Sequence, residues 1–207
     1  MVQRELEHIP VMRDAAVAAL NVRAQGRYLD ATFGRGGHAR EILNLLDKDG
    51  RLLLMDRDPE AVAVARSAFD DDARVAIRHA SFAELAAWDD VAIGLDGALF
   101  DLGVSSPQLD APERGFSFMA DAPLDMRMDT TRGDSVADFL AQADERAIAD
   151  VLWRYGDERQ ARRIARAIVA DRVSTPFART GQLAGLIERV VGRRDNGKHP
   201  ATRSFQA

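Results

Sequence analysis

The sequence contains no cysteine, and its four histidines are scattered through 207 residues. Without cysteine the chain has no disulfide, no thiolate metal site and no cysteine nucleophile. Because no two histidines have the close spacing of metal ligands, we expect no metal ion held by the protein.

Long apolar runs are missing as well. No window of 18 residues is apolar enough for a membrane span, and the first residues, MVQRELE, lack the apolar core of an export signal. The apolar fraction of 46% and the charged fraction of 29% are typical of a soluble globular protein. We therefore expect a cytoplasmic protein that makes no contact with a membrane.

Basic residues are in the minority except near the C-terminus. The net charge is −5, which disfavours a protein that coats nucleic acid with its whole surface. Residues 151–207 nevertheless hold 12 Lys or Arg and 5 Asp or Glu. This basic part indicates a polyanionic partner, although a charged face turned to solvent would have the same composition.

A glycine-rich turn follows the first apolar run. Residues 28–33 form the run, and Gly34, Gly36 and Gly37 follow before a helical pattern begins. Strand, glycine turn and helix are typical of a nucleotide-cofactor site in an open α/β sheet. The spacing G-x-G-G differs from the G-x-G-x-x-G of pyrophosphate sites. A simple strand-to-helix connection would give the same pattern.

Three of the apolar runs carry a carboxylate at or near their end, namely Asp30, Asp56 and Asp101. Alternating strand and helix patterns predict parallel strands at 27–32, 51–56, 74–78 and 97–101, so these carboxylates should share one sheet edge. Asp56 lies where a ribose diol is held in such folds. Carboxylates beside the turn suit a cation better than a diphosphate. S-adenosylmethionine has a ribose and a sulfonium but no phosphate.

The pattern changes after the fourth strand. Residues 102–134 lack a clear period, and helices are predicted at about 135–142, 144–154, 157–172 and 179–191. We therefore predict two domains, 1–106 and 107–207. Since only four strands are visible and a free sheet edge is a liability, we expect the natural chain to be longer.

Eight stretches in this order resemble the bacterial ribosomal RNA small subunit methyltransferase H (MraW) family. They are HIPVM at 8–12, DATFGRGGHA at 30–39, MDRDP at 55–59, DLGVSSPQL at 101–109, RGFSF at 114–118, PLDMRMD at 123–129, YGDER at 155–159 and KHPATRSFQA at 198–207. The resemblance covers nearly the whole chain, and the set of motifs is far more specific than the glycine turn alone.

The resemblance implies an α/β fold, a class I (Rossmann-like) methyltransferase sheet with a helical domain inserted after the fourth strand. Family members complete the sheet after the Phe-Gln-Ala motif, so we expect the sheet to be incomplete in this chain. The implied activity is methyl transfer from S-adenosylmethionine to the N4 amine of a cytidine in 16S rRNA. The implied partner is that rRNA or the small ribosomal subunit.

By resemblance, seven residues contact the cofactor: Gly36, Gly37 and His38 at the methionine end, Asp56 at the ribose hydroxyls, Phe82 at the adenine, and Asp101 and Gln108 around the loop after strand 4. Three of them have a structural alternative. His38 could cap a helix or lie on the surface, the carboxylate at the ribose position could cap the next helix, and the phenyl ring could belong to the core.

Asp101 is also the best candidate to accept a hydrogen bond from the target amine. The N4 lone pair of cytosine is delocalised into the ring, and an acceptor for its N–H favours the sp³ form. DNA amino-methyltransferases have a Ser/Asp-Pro-Pro-aromatic loop at this place. Here the sequence is Ser-Ser-Pro-Gln and lacks the aromatic residue, so no general base is assigned.

An rRNA base must leave its stack before it can react. The candidates for holding the base or its phosphates are Phe116, Phe118, Arg127, Lys198, His199 and Arg203. Packing between domains and structural ion pairs are the alternatives for these side chains.

Three other functions remain open at this stage. A nicotinamide-dependent oxidoreductase is disfavoured by the turn spacing and its adjacent carboxylate. A methyltransferase acting on DNA or a small molecule is the second, and DNA is disfavoured by the local basic bias and by the absence of the Pro-Pro-aromatic loop from this sequence. A non-catalytic RNA-binding or assembly factor is compatible with an incomplete sheet.

Overall fold

The computed structural model describes residues 12–192 and 199–207. Within them the chain forms two compact units. The first runs up to Val104 and includes Met128–Thr131, and the second comprises Ser105–Arg127 and Arg132–Ala207. Most of the first motif and the candidate Lys198 lie outside the described residues. No helix in the described part is long and apolar enough to cross a membrane.

The first unit is built on a parallel sheet of four strands. These are β1 (Arg27–Asp30), β2 (Arg51–Asp56), β3 (Val75–His79) and β4 (Gly97–Leu99), in the order β3-β2-β1-β4. The predicted α/β class with a parallel sheet is confirmed. Because β1 and β2 are central and covered on both faces, their inner residues, 28–29 and 52–55, are buried and largely apolar, as buried parallel strands require.

Side chains of the central strands alternate between two apolar layers, since successive residues of a strand point to opposite faces. Leu52 and Leu54 join a layer with Ile42, and Leu53 and Met55 join the opposite layer. Both faces of the sheet are therefore packed against apolar layers, which hold the carboxyl ends of its strands in place.

The helices of the first unit are α1 (Arg13–Leu20), α2 (Gly37–Leu45), α3 (Pro59–Phe69) and the short α4 (Asp89–Ala92), with a 3₁₀ turn at Phe82–Ala87. The side chain of Asp58 caps α3 by accepting the Glu60 N–H at 2.9 Å, and Pro59 occupies the first position, where its missing N–H costs nothing.

The predicted first and fourth strands, 27–32 and 97–101, are each too long by two residues. The last ladder bond runs from the Ala31 N–H to the Leu99 carbonyl at 2.9 Å. Beyond it β1 enters the glycine turn, and the Asp101 N–H donates to the Thr32 side-chain oxygen at 2.7 Å instead of to a strand. Asp101 therefore lies in the loop just after β4 and does not end the strand.

The second unit is helical. Its helices are α5 (Ser106–Asp110), α6 (Val136–Gln142), α7 (Glu145–Arg154), α8 (Ala161–Asp171), α9 (Thr180–Val191) and α10 (Thr202–Gln206), with a 3₁₀ turn at Pro112–Arg114. Ile148 of α7 and Ile164 and Ile168 of α8 form its buried centre.

Two boundaries in this unit differ from those predicted. The third long helix begins at Ala161 instead of 157, because Asp157 adopts a left-handed φ of 50° and the preceding Gly156 approaches the Arg203 carbonyl too closely for any Cβ. Residues 106–110 were expected to be irregular but form α5, in which Pro107 is compatible with the first turn.

Candidate cofactor site

The candidate site lies at the carboxyl edge of the sheet in the first unit. The strand order reverses between β1 and β4, which makes their carboxyl ends the switch point where ligands bind in open α/β folds. Asp30 ends β1, Asp56 ends the neighbouring β2, and Asp101 follows β4. The fold therefore brings together the three carboxylates that the sequence singled out.

The glycine turn after β1 needs its glycines for backbone reasons. Gly34 and Gly36 have φ angles of 56° and 77°, in the left-handed region that favours glycine. A Cβ on Gly36 would also come within 2.7 Å of the Phe33 ring. Gly37 then begins α2. The tight turn puts the start of this helix directly beside the switch point.

Asp56 is tied to the turn by its carboxylate. One oxygen accepts the Gly34 N–H and the other accepts the Asp58 N–H, both at 2.8 Å. Burial raises the pKa of Asp56, and these backbone hydrogen bonds oppose the rise. Each carboxylate oxygen has two lone pairs, so acceptor capacity remains for a ligand. It is Asp58, rather than Asp56, whose side chain caps the next helix.

Asp30 is completely buried. One oxygen accepts the Thr32 N–H at 3.2 Å, and the other has no hydrogen-bond partner among the described residues. Burial raises the pKa of Asp30 to about 7, and the negative charges of Asp56 and Asp101 add to the rise. A buried carboxyl with an unsatisfied oxygen is costly, and such groups are concentrated at functional sites.

The part of the chain that the structure describes places no basic partner on the three carboxylates. Within the described residues, none of Asp30, Asp56 and Asp101 forms an ion pair, and Asp101 is exposed. Since the charges of Asp56 and Asp101 raise the pKa of Asp30, the three carboxyl groups act on one region. The site is therefore electrostatically suited to a cationic ligand and unsuited to a diphosphate.

His38 lies in the first turn of α2 and is only 5% exposed. Burial lowers its pKa, while the Asp101 charge opposes the change. The imidazole is therefore neutral at pH 7, and the interpretation of His38 as a surface histidine is wrong.

Phe82 opens the 3₁₀ turn after β3 and is 44% exposed, so it is not an ordinary core residue. Its ring meets that of Phe100 edge to face, with the centroids 5.8 Å apart. Sequence reasoning singled out neither Phe100 nor Thr32. The sequence signal that could have identified them is proximity, because Phe100 directly precedes Asp101 and Thr32 lies two residues after Asp30.

The remaining candidates belong to the second unit. The Gln108 side chain is buried and accepts the Ser105 N–H at 2.9 Å at the start of α5. Phe118 packs against His199 and Phe205 at ring distances of 4.6 and 4.9 Å. Phe116 is half-buried, with the Arg114 guanidinium 6.0 Å from its ring centre.

The basic side chains that were predicted to contact the substrate, where the structure describes them, have hydrogen-bond partners inside this unit. Arg127 forms a two-pronged ion pair with Asp125 at 2.8 and 2.7 Å, which holds the pKa of Asp125 below its usual range. His199 accepts the Ala201 N–H through Nδ1 at 3.1 Å, and Arg203 donates to the Asp157 carbonyl at 3.0 Å. These contacts fit the structural alternatives, and the substrate roles stay predictions.

The sequence is similar to one protein family and to several named proteins. A family model described as the MraW methylase family matches residues 5–207. Proteins named ribosomal RNA small subunit methyltransferase H are 60% identical in Stenotrophomonas maltophilia and Xylella fastidiosa and 59% identical in Xanthomonas euvesicatoria. The alignments cover 97%, 97% and 100% of this chain but 62%, 66% and 61% of those proteins. The chain thus spans less than two thirds of their length.

Proposed function

The chain belongs to the MraW methylase family, and we propose that it transfers a methyl group from S-adenosylmethionine to the N4 amine of a cytidine in 16S rRNA. The rRNA or the small ribosomal subunit is the partner, and the reaction is cytoplasmic. The observation that carries the proposal is the group of three carboxylates without ion-pair partners, among the described residues, around one glycine turn.

S-adenosylmethionine supplies a methyl group activated by its sulfonium. The unused lone pairs of Asp56 would accept the ribose hydroxyls. The backbone of Gly36 and Gly37, with His38 at the start of α2, would line the methionine end. One oxygen of Asp30 is buried and accepts no hydrogen bond from any residue that the structure describes, which supports the fit of a cationic group at this edge.

Asp101 would act on the nucleophile. By accepting an N–H of the target amine, its carboxylate would localise the nitrogen lone pair and align it with the methyl group. The methyl group would pass from the sulfonium to this nitrogen, with the N–C bond formed as the S–C bond breaks, and the methylated amine would release one proton to water. Asp101 is exposed and lies just beyond β4, where an approaching base could reach it.

Methyl incorporation tests the proposal. The protein is incubated with labelled S-adenosylmethionine and small subunits that lack the modification, and the rRNA is digested to nucleosides. We expect label in N4-methylcytidine, at a level that falls at least 100-fold in Asp101→Ala, which removes the acceptor. The Stenotrophomonas maltophilia relative serves as the positive control for the substrate.

Other outcomes favour the alternatives. Label in DNA or in a small molecule would support a different substrate class. Specific rRNA binding without any label, alongside an active control, would support a non-catalytic role. Binding of NAD in calorimetry would support an oxidoreductase. The carboxylates at the turn disfavour that function.

A further inference from the structure

Two phenyl rings of the first unit are nearly half exposed to solvent. This unit contains Phe33, Phe69, Phe82 and Phe100, of which Phe33 is 3% exposed, whereas Phe82 and Phe100 are each 44% exposed. An exposed phenyl ring forgoes much of the free energy that its burial would contribute. Two such rings in contact form an apolar surface that a flat ligand could cover.

The two exposed rings form a corner. Their planes are 86° apart, and their centroids are separated by 5.8 Å, the edge-to-face geometry that aromatic pairs prefer. A flat ring placed in such a corner can lie against the face of one phenyl group and the edge of the other. Both contacts are favourable for an uncharged heteroaromatic base.

The corner is fixed next to the proposed ribose acceptor. The Ala80 N–H donates to the Asp56 carbonyl at 3.0 Å, and Phe82 follows two residues later. On the other side, Phe100 directly precedes Asp101, whose N–H is bound to Thr32. The contact of the rings thus joins the segments that leave the two outer strands, β3 and β4, at the carboxyl edge of the sheet.

We propose that Phe100 forms the second wall of the adenine pocket, at right angles to Phe82. This inference rests on the proposed function, since it takes Asp56 as the ribose acceptor. A base joined directly to that ribose must lie close to the segment that hydrogen-bonds Asp56, and Phe82 is in that segment. The adenine of the cofactor is therefore a better occupant than the cytosine of the substrate.

Calorimetry with two ligands tests Phe100. S-adenosylhomocysteine has the adenine, and S-ribosylhomocysteine is the same molecule without the base. We expect Phe100→Ala to weaken S-adenosylhomocysteine binding about tenfold, the order of one lost base–aromatic stack. Binding of S-ribosylhomocysteine should change less than about twofold, because it has no ring to stack. Phe100→Tyr should restore the affinity for S-adenosylhomocysteine.

Ile93→Ala is the matched control. Ile93 is an exposed apolar residue between α4 and β4, on the amino side of that strand, so its loss should leave both affinities unchanged. An equal loss for both ligands in Phe100→Ala would mean a structural role and would overturn the inference. Unchanged S-adenosylhomocysteine affinity would overturn it too, while leaving the proposed function intact. Absence of wild-type binding would overturn both.

Discussion

Replacement of Asp30 by Asn should stabilise the protein more at pH 8 than at pH 5. Asp30 is completely buried, and its pKa is raised to about 7, above the usual 3.8 of an aspartate. Between these values the folded protein binds a proton that the unfolded chain does not bind. The stability that this group contributes is therefore fully present below about pH 4 and is lost as the pH rises through 7.

The size of the effect follows from the two pKa values. A difference of about three pH units at roughly 1.4 kcal/mol each gives a loss on the order of 4 kcal/mol from pH 4 to pH 7. Asn is neutral and has nearly the same shape, so the variant lacks this slope. The Asn amide, like the Asp30 carboxyl, leaves one polar atom without a partner among the described residues. The free-energy cost of that unpaired atom does not depend on pH.

Urea unfolding between pH 5 and pH 8 measures the difference in stability. The chain has two tryptophans, and Trp153 is exposed in the second unit. In a Trp153→Phe background, fluorescence reports only buried Trp88 in the first unit. Asp49→Asn, at an exposed carboxylate, is the control and should show no such trend. If Asp30→Asn and the wild type differ equally at every pH, the assignment of a raised pKa is wrong.

Three further changes test the roles of single residues. Asp56→Ala should weaken S-adenosylmethionine binding by about 1–3 kcal/mol through lost charge-assisted hydrogen bonds; unchanged affinity by calorimetry would remove Asp56 from the site. Gly36→Ala should destabilise the first unit by about 1–3 kcal/mol, because its φ of 77° and the Phe33 ring leave no room for a Cβ, and an unaltered urea midpoint would contradict this. Arg127→Met should destabilise the second unit by about 1–3 kcal/mol, since Asp125 loses both of its side-chain donors; weaker rRNA binding at unchanged stability would instead favour a substrate role.

The sheet was the most predictable part of the fold. The central strands are apolar on both faces, so runs such as residues 52–55 stand out in the sequence, and helices begin at readable caps such as Asp58. The family resemblance named the candidate residues, and the membership that it implied is confirmed.

What could not be predicted depends on contacts between distant residues. The end of β4 is set by the bond from the Asp101 N–H to Thr32, which lies 69 residues away. The start of α8 depends on Gly156 lying against the backbone of Arg203. The contact of Phe82 with Phe100 likewise needs the crossover from β3 to β4. A local sequence pattern cannot predict such contacts, because the residues that form them are far apart in the sequence.

An experimental structure of the protein with S-adenosylhomocysteine tests the central claim most directly. We predict density at the carboxyl ends of β1 and β2, with both ribose hydroxyls on Asp56 and the amino acid end beside Gly36 and Gly37. Density for the ligand elsewhere on the first unit, or Asp56 bound only to its own backbone in the complex, would contradict the account.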